Sequence, residues 1–140
     1  MAWVDREFDE IANQIRVVDA APPATHFVPP VDVTFDGDDA LVCVELPGVD
    51  VATDVRVEVD RGQLVIRGER GPNWPVADRE PGRTVLAERR HGQFHRAFAL
   101  PEHVTGDDVE ASYDNGLLTV RVRQVRQRPP VPKRIEVTAR

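Results

Sequence analysis

The stretch Val109-Glu-Ala-Ser-Tyr-Asp-Asn-Gly-Leu-Leu-Thr-Val-Arg-Val122 decides the fold. Two short runs, Val109 to Tyr113 and Leu117 to Val122, flank Asp114-Asn-Gly116. Asn-Gly is the strongest short hairpin signal, because both residues tolerate the positive φ of a tight primed turn. Leu118, Val120 and Val122 recur at every second position, so one face of the hairpin seeks a core. The same pattern repeats outward toward the amino terminus. Phe94 to Leu100 alternates and stops at Pro101. Gln63 to Arg67 follows the turn signal Asp60-Arg61-Gly62 and forms a second hairpin with the alternating run Val55 to Val59. Ala40 to Leu46 is almost continuously apolar and ends at Pro47-Gly48, and Val31 to Phe35 alternates. Regular short strands with Gly and Pro turns predict an all-β fold, a sandwich or barrel. Val42, Val44 and Leu46 share one face, and Leu64 and Ile66 another. Each such side chain contributes roughly 2 kcal/mol on burial, before entropy is set against it. Val, Ile and Leu predominate, so a tight aliphatic core without a large cavity is expected.

The flanks read differently. Val4, Phe8, Ile11, Ile15 and Val18 are spaced four, three, four and three apart, which predicts one apolar stripe of a helix over residues 1–20. Residues 21–30 hold four prolines and are expected to be extended linker. Residues 70–84, with three prolines, form a long loop inside a compact β-domain, and loops of that length usually have a purpose. After Gln127 the chain is again extended by prolines and ends with the apolar pair Ile135 and Val137.

The chain's 140 residues suit one domain, and composition narrows the function. There is one serine (Ser112), one cysteine (Cys43) and one lysine (Lys133), against 17 arginines. A lone cysteine excludes an internal disulfide and a multi-cysteine metal site. Cys43 lies mid-strand and reads as a small apolar residue, and Ser112 has no nucleophile elbow around it. On one strand His91 and His95 would stand about 13 Å apart, too far for one metal ion. Asp36-Gly-Asp-Asp39 lacks the closing glutamate of a calcium loop, since position 47 is proline, and reads as a turn. No catalytic residue, cofactor or metal site is expected. The net charge of −6 divides into −3 over residues 1–30, −9 over 31–120 and +6 over 121–140. An acidic body argues against nucleic acid as the main partner. The acidic start and the absence of a long apolar run predict neither a secretory signal nor a membrane span, with the cytoplasm as the default compartment.

Arg96 breaks the pattern, because Phe94, Phe98 and Leu100 share its face. It either snorkels at a sheet edge or pairs with a carboxylate at a subunit contact, and the second reading is preferred. An unpaired charge there would cost several kcal/mol.

The ordered set of motifs resembles the small heat-shock protein (Hsp20, α-crystallin domain) family of bacterial type. Val44-Glu-Leu-Pro-Gly-Val49, Leu64-Val-Ile-Arg-Gly-Glu-Arg70, Glu88-Arg89 with Gly92-Gln-Phe94, Arg96, Phe98 and Leu100-Pro101, Ala111 to Val120 around Gly116, and Ile135-Glu-Val137 carry it. The resemblance implies an immunoglobulin-like β-sandwich over 31–125, an arm over 1–30 and a carboxy-terminal extension over 126–140. Within the sandwich it implies a dimerisation loop and exchanged strand over 71–90, in which Val85, Leu86 and Ala87 pair with the partner's Val31, Val33 and Phe35. It implies that Ile135 and Val137 anchor in a groove lined by Val55, Val57, Val59, Val109 and Ala111. It implies an ATP-independent holdase that forms dimers and larger homo-oligomers and binds unfolding clients. The arm, with Trp3, Val4, Phe8, Ile11, Ile15 and Val18, serves either clients or another copy's helix. The alternative is a β-sandwich adaptor or co-chaperone module for one folded partner.

Overall fold

The computed structural model describes residues 15–19, 26–72, 85–126 and 132–140. Eight strands build two four-stranded antiparallel sheets. One sheet has the order β1-β6-β5-β4, from Arg16–Val17, Gly92–Ala99, Gln63–Arg70 and Val55–Asp60. The other has the order β2-β3-β8-β7, from Val31–Asp36, Asp39–Glu45, Leu117–Val122 and Val109–Asp114. A single 3-10 turn, Gly106–Asp108, leads into β7.

The turns act as their residues require. Arg61 and Gly62 (φ 51° and 75°) make a two-residue hairpin loop between β4 and β5, with Asp60 opposite Gln63. Asn115 and Gly116 (φ 51° and 79°) do the same between β7 and β8, with Asp114 opposite Leu117. Both residues of each loop take the left-handed conformation that matches the twist of the flanking strands. Asp36-Gly-Asp-Asp39 is the expected turn and joins β2 to β3.

Register follows from these turns. Val42 stands opposite Val120, and Val44 opposite Leu118. Leu64 stands opposite Phe98 in the other sheet. Val42, Val44, Leu46, Leu64, Ile66, Val120 and Val122 are fully buried, and Phe94, Phe98 and Leu118 nearly so. This is the aliphatic core that the alternation predicts, with two phenylalanines filling it.

The predicted helix fails at its last turn. Arg16–Val17 form a strand along the edge of β6, opposite Ala99 and Phe98, and the Val18 N–H donates to the Ala97 carbonyl at 2.9 Å. Ile15 is buried in the core, so this member of the stripe is not offered to a client. The edge of β6 offers unpaired N–H and C=O groups, and Ile15, Val17 and Val18 are β-branched, so tertiary pairing overrides a helical period. Trp3, Val4, Phe8 and Ile11 lie outside the described residues. Residues 27–30 are extended, as their prolines require, but not a free linker. Phe27 and Pro29 are buried, and the Phe27 N–H donates to the Gln93 carbonyl at 3.0 Å.

Gly68 sits where β5 passes close to the Asp54 backbone. A Cβ there would overlap the Asp54 carbonyl oxygen and lie 2.8 Å from Phe94 Cζ. That carbonyl already accepts the Glu69 N–H at 3.0 Å, so it cannot withdraw without losing a bond. Gly68→Ala is expected to destabilise the fold by about 3 kcal/mol in urea unfolding. Gly106→Ala, with open space around its Cβ, is expected to stay within about 0.5 kcal/mol of wild type.

Candidate functional site

The described chain presents apolar edges and knobs. β2 pairs with β3 on one side only, and no strand covers its other edge among the described residues. Along it Val31, Val33 and Phe35 are half-buried against the core. Val85 and Leu86 are 99% and 73% exposed, and Ala87 is exposed as well. Residues 85–88 form no strand within this chain, so the two segments expected to pair across a dimer are not brought together in one copy.

The outer strands of the two sheets, β4 and β7, frame a cleft of about 310 Å³. Val57 and Val59 line it from β4, Val109 and Ala111 from β7, with Glu58 and Glu110 beside them. These four of the five expected groove residues come together. Val55 is half-buried at the start of β4 and does not line the cleft. The alternation of β4 points its valines toward the core, and at a sheet's last strand that row is only partly covered. In the tail Ile135 is 78% and Val137 91% exposed.

Arg96 projects among Phe94 and Phe98 and meets a carboxylate of its own chain. Its Nε donates to Asp19 Oδ2 at 2.7 Å, and its Nη1 donates to the Pro29 carbonyl at 2.9 Å. The Ala97 N–H donates to the same Asp19 oxygen at 3.1 Å. The two side chains are only 12% and 13% exposed, so the pair is largely desolvated.

The comparisons with known proteins fit this arrangement. The family model described as Hsp20/alpha crystallin family matches residues 32–138. The chain belongs to that family. The 18 kDa heat shock protein of Streptomyces albus G is 34% identical over 120 residues, 84% of this chain and 78% of that protein. The 18 kDa antigen 1 of Mycobacterium intracellulare is 36% identical over 118 residues, 84% of this chain and 72% of that one. Among solved structures, a small heat-shock protein from Xylella fastidiosa gives a TM-score of 0.64 at 33% identity, covering 81% of this chain and 99% of that one. Heat shock protein 16.0 from Schizosaccharomyces pombe gives 0.62 at 35% identity, covering 81% and 100%. This small heat-shock protein therefore belongs to a family of chaperones, and its relatives are not known as enzymes.

Cys43 faces away from the core, with its Sγ 4.0 Å from Thr119 Oγ1, and Ser112 is exposed. His91 lies just before β6, and both it and His95 are exposed. No group of three metal-ligating side chains occurs among the described residues. No helix there is long and apolar enough to cross a membrane.

Two ionic features escape a reading of the sequence. One is the partner of Arg96. Asp19 is the only acid between residues 11 and 31, which is a usable signal, but a helical reading of 1–20 points it away from β6. The other is Arg121, which donates to Asp36 and Asp39, both at 2.9 Å, with Glu110 4.0 Å away. The Gln124 N–H and Arg121 hold Asp39 below the ordinary carboxylate range, and hydrogen bonds to Asp36 and Asp39 raise Arg121. Counting outward from Asn-Gly places Glu110 opposite Arg121, so part of this network was available from the hairpin register.

Removing one partner of a desolvated pair leaves the other unpaired. Asp19→Ala is expected to cost about 3 kcal/mol in urea unfolding. It should also speed amide exchange at Val18 and Ala97 at least tenfold relative to the β8 amides, as the 15–19 segment detaches from β6.

Proposed function

We propose that this small heat-shock protein is an ATP-independent holdase of the cytoplasm, which binds unfolding proteins through apolar surface and keeps them from aggregating. The observation that carries the reading is the pairing of an uncovered apolar cleft with exposed aliphatic knobs on the same chain. The cleft is lined by the short aliphatic side chains of Val57, Val59, Val109 and Ala111, with Glu58 and Glu110 beside them, which supports an aliphatic occupant. Ile135 and Val137 are two such side chains on an extended tail. Docking one copy's tail into another's cleft buries two knobs, each contributing roughly 2 kcal/mol before ordering costs. Such a contact is weak and reversible alone and strong when repeated. A vacated cleft then accepts an apolar segment of an unfolding client.

The dimer unit in this reading forms by strand addition. Val85, Leu86 and Ala87 of one copy pair with the free edge at Val31, Val33 and Phe35 of the other. Strand addition satisfies the backbone groups of that edge and removes an aggregation hazard from both copies. Arg96 pairs with Asp19 of its own chain and so fixes the 15–19 segment to β6, a role within one copy and not the expected carboxylate pair across a subunit contact. A monomeric adaptor has no use for an exposed assembly anchor, which disfavours that alternative.

Light scattering of a heat-denatured client tests the reading directly. With no nucleotide added, one dimer per client is expected to suppress most of the scattering, and unchanged scattering rejects the holdase. Size-exclusion chromatography with light scattering tests the anchor. Ile135→Ala with Val137→Ala is expected to reduce the assembly to dimers or small oligomers, and an unchanged size means the tail is not an assembly contact.

A further inference from the structure

A second cleft, of about 370 Å³, lies at the root of the 71–90 loop and has the opposite character. Arg70, the last residue of β5, meets Arg89, Arg90 and His91 there, beside Pro47 and Pro72. Two of the arginines, Arg70 and Arg89, are held in place by carbonyl groups. Arg70 donates to the carbonyls of Pro47 and Arg90, and Arg89 to that of Pro72. The Arg70 guanidinium also lies 4.4 Å from the Phe27 ring centroid. Carbonyl oxygens are neutral, so these bonds orient the cations without balancing their charge. No carboxylate pairs with Arg70, Arg89 or Arg90 among the described residues.

Burial and the neighbouring cation act on Arg70 in the same sense. Burial lowers the Arg70 guanidinium from its ordinary value, and Arg89 adds to the shift. Glu45 and Tyr113 act in the opposite sense without prevailing. Like charges brought together at a concave surface, with no carboxylate paired to them among the described residues, are what an anion relieves. A guanidinium carries five N–H donors, more than the carbonyl bonds of Arg70 and Arg89 use, and its planar fork matches phosphate oxygens. Three arginines around one small cleft exceed what one carboxylate can engage, but suit a compact anion with several oxygens. The surrounding body carries −9 over residues 31–120, which repels a long polyanion such as nucleic acid.

We propose that the cleft formed by Arg70, Arg89, Arg90 and His91 is a binding site for a compact condensed phosphate of the pyrophosphate class. Binding there requires neither a client nor a second copy. It cross-links the end of β5 to the residues just before β6, and so fixes the point at which the loop returns to the sandwich.

Calorimetric titration of the full chain with inorganic pyrophosphate tests this. Saturable binding of one pyrophosphate per chain is expected, weakening as salt is raised. A thermal scan at 100-fold excess over the dissociation constant should show a midpoint several degrees higher than sodium chloride gives at matched ionic strength. Arg89→Gln with Arg90→Gln should lose at least tenfold in affinity and lose the thermal increment. Its midpoint without anion should equal or exceed that of wild type, because the repulsion on Arg70 is relieved. No saturable binding to wild type overturns the proposal. So does a chloride effect of equal size, or binding undiminished in the double variant.

Discussion

The last strand of any open β-sheet carries a row of N–H and C=O groups that must be paired, covered or left to another chain. Two packed sheets cannot escape this, and here the outer strands are β1 and β4 in one sheet, β2 and β7 in the other. The aliphatic core needs two sheets face to face, because Val42, Val44 and Val120 from one must meet Leu64, Ile66 and Phe98 from the other. The core therefore creates the edges, and the edges create the surfaces on which a small heat-shock protein can work. β6 is closed by the two-residue β1, β2 lies open, and β4 and β7 leave an apolar cleft between them.

The Asp19–Arg96 pair shows how one edge is held. An arginine between Phe94 and Phe98 is costly to bury, and a desolvated carboxylate beside it is costly as well. Each offsets the other's penalty, and Asp19 also takes the Ala97 N–H at the edge of β6. The segment it secures is otherwise attached by one short pairing and by Ile15 in the core. A tether of that kind opens at lower free energy than the sandwich does, which places it among the more labile elements of the fold.

Charge is sorted with the same economy. The body is acidic and the last twenty residues are basic. Arg121, the first of those basic residues, gathers Asp36 and Asp39 of the body, while Arg70 and Arg89 stand together at the loop root. The first arrangement is satisfied internally. The second has no carboxylate paired to it among the described residues.

The strands and their turns were legible in the sequence because they are local. A period of two, a Gly after Asn or Arg, and a Pro at a strand's end act within a few residues. The oddity of Arg96 was legible for the same reason, since its neighbours on one face are apolar. The cleft residues are a partial case. Val57, Val59, Val109 and Ala111 are named by resemblance to a family and meet in one cleft, while Val55 stands aside. Tertiary structure decided what depends on distant partners. It turned the end of a helical stripe into a strand, because the open edge of β6 was there to pair with. It supplied Asp19 to Arg96 across 77 residues, made Gly68 indispensable by bringing the Asp54 backbone against it, and gathered cations from both ends of a loop into one cleft. Periodicity records what a residue prefers beside its neighbours, and packing records what it meets when the chain returns.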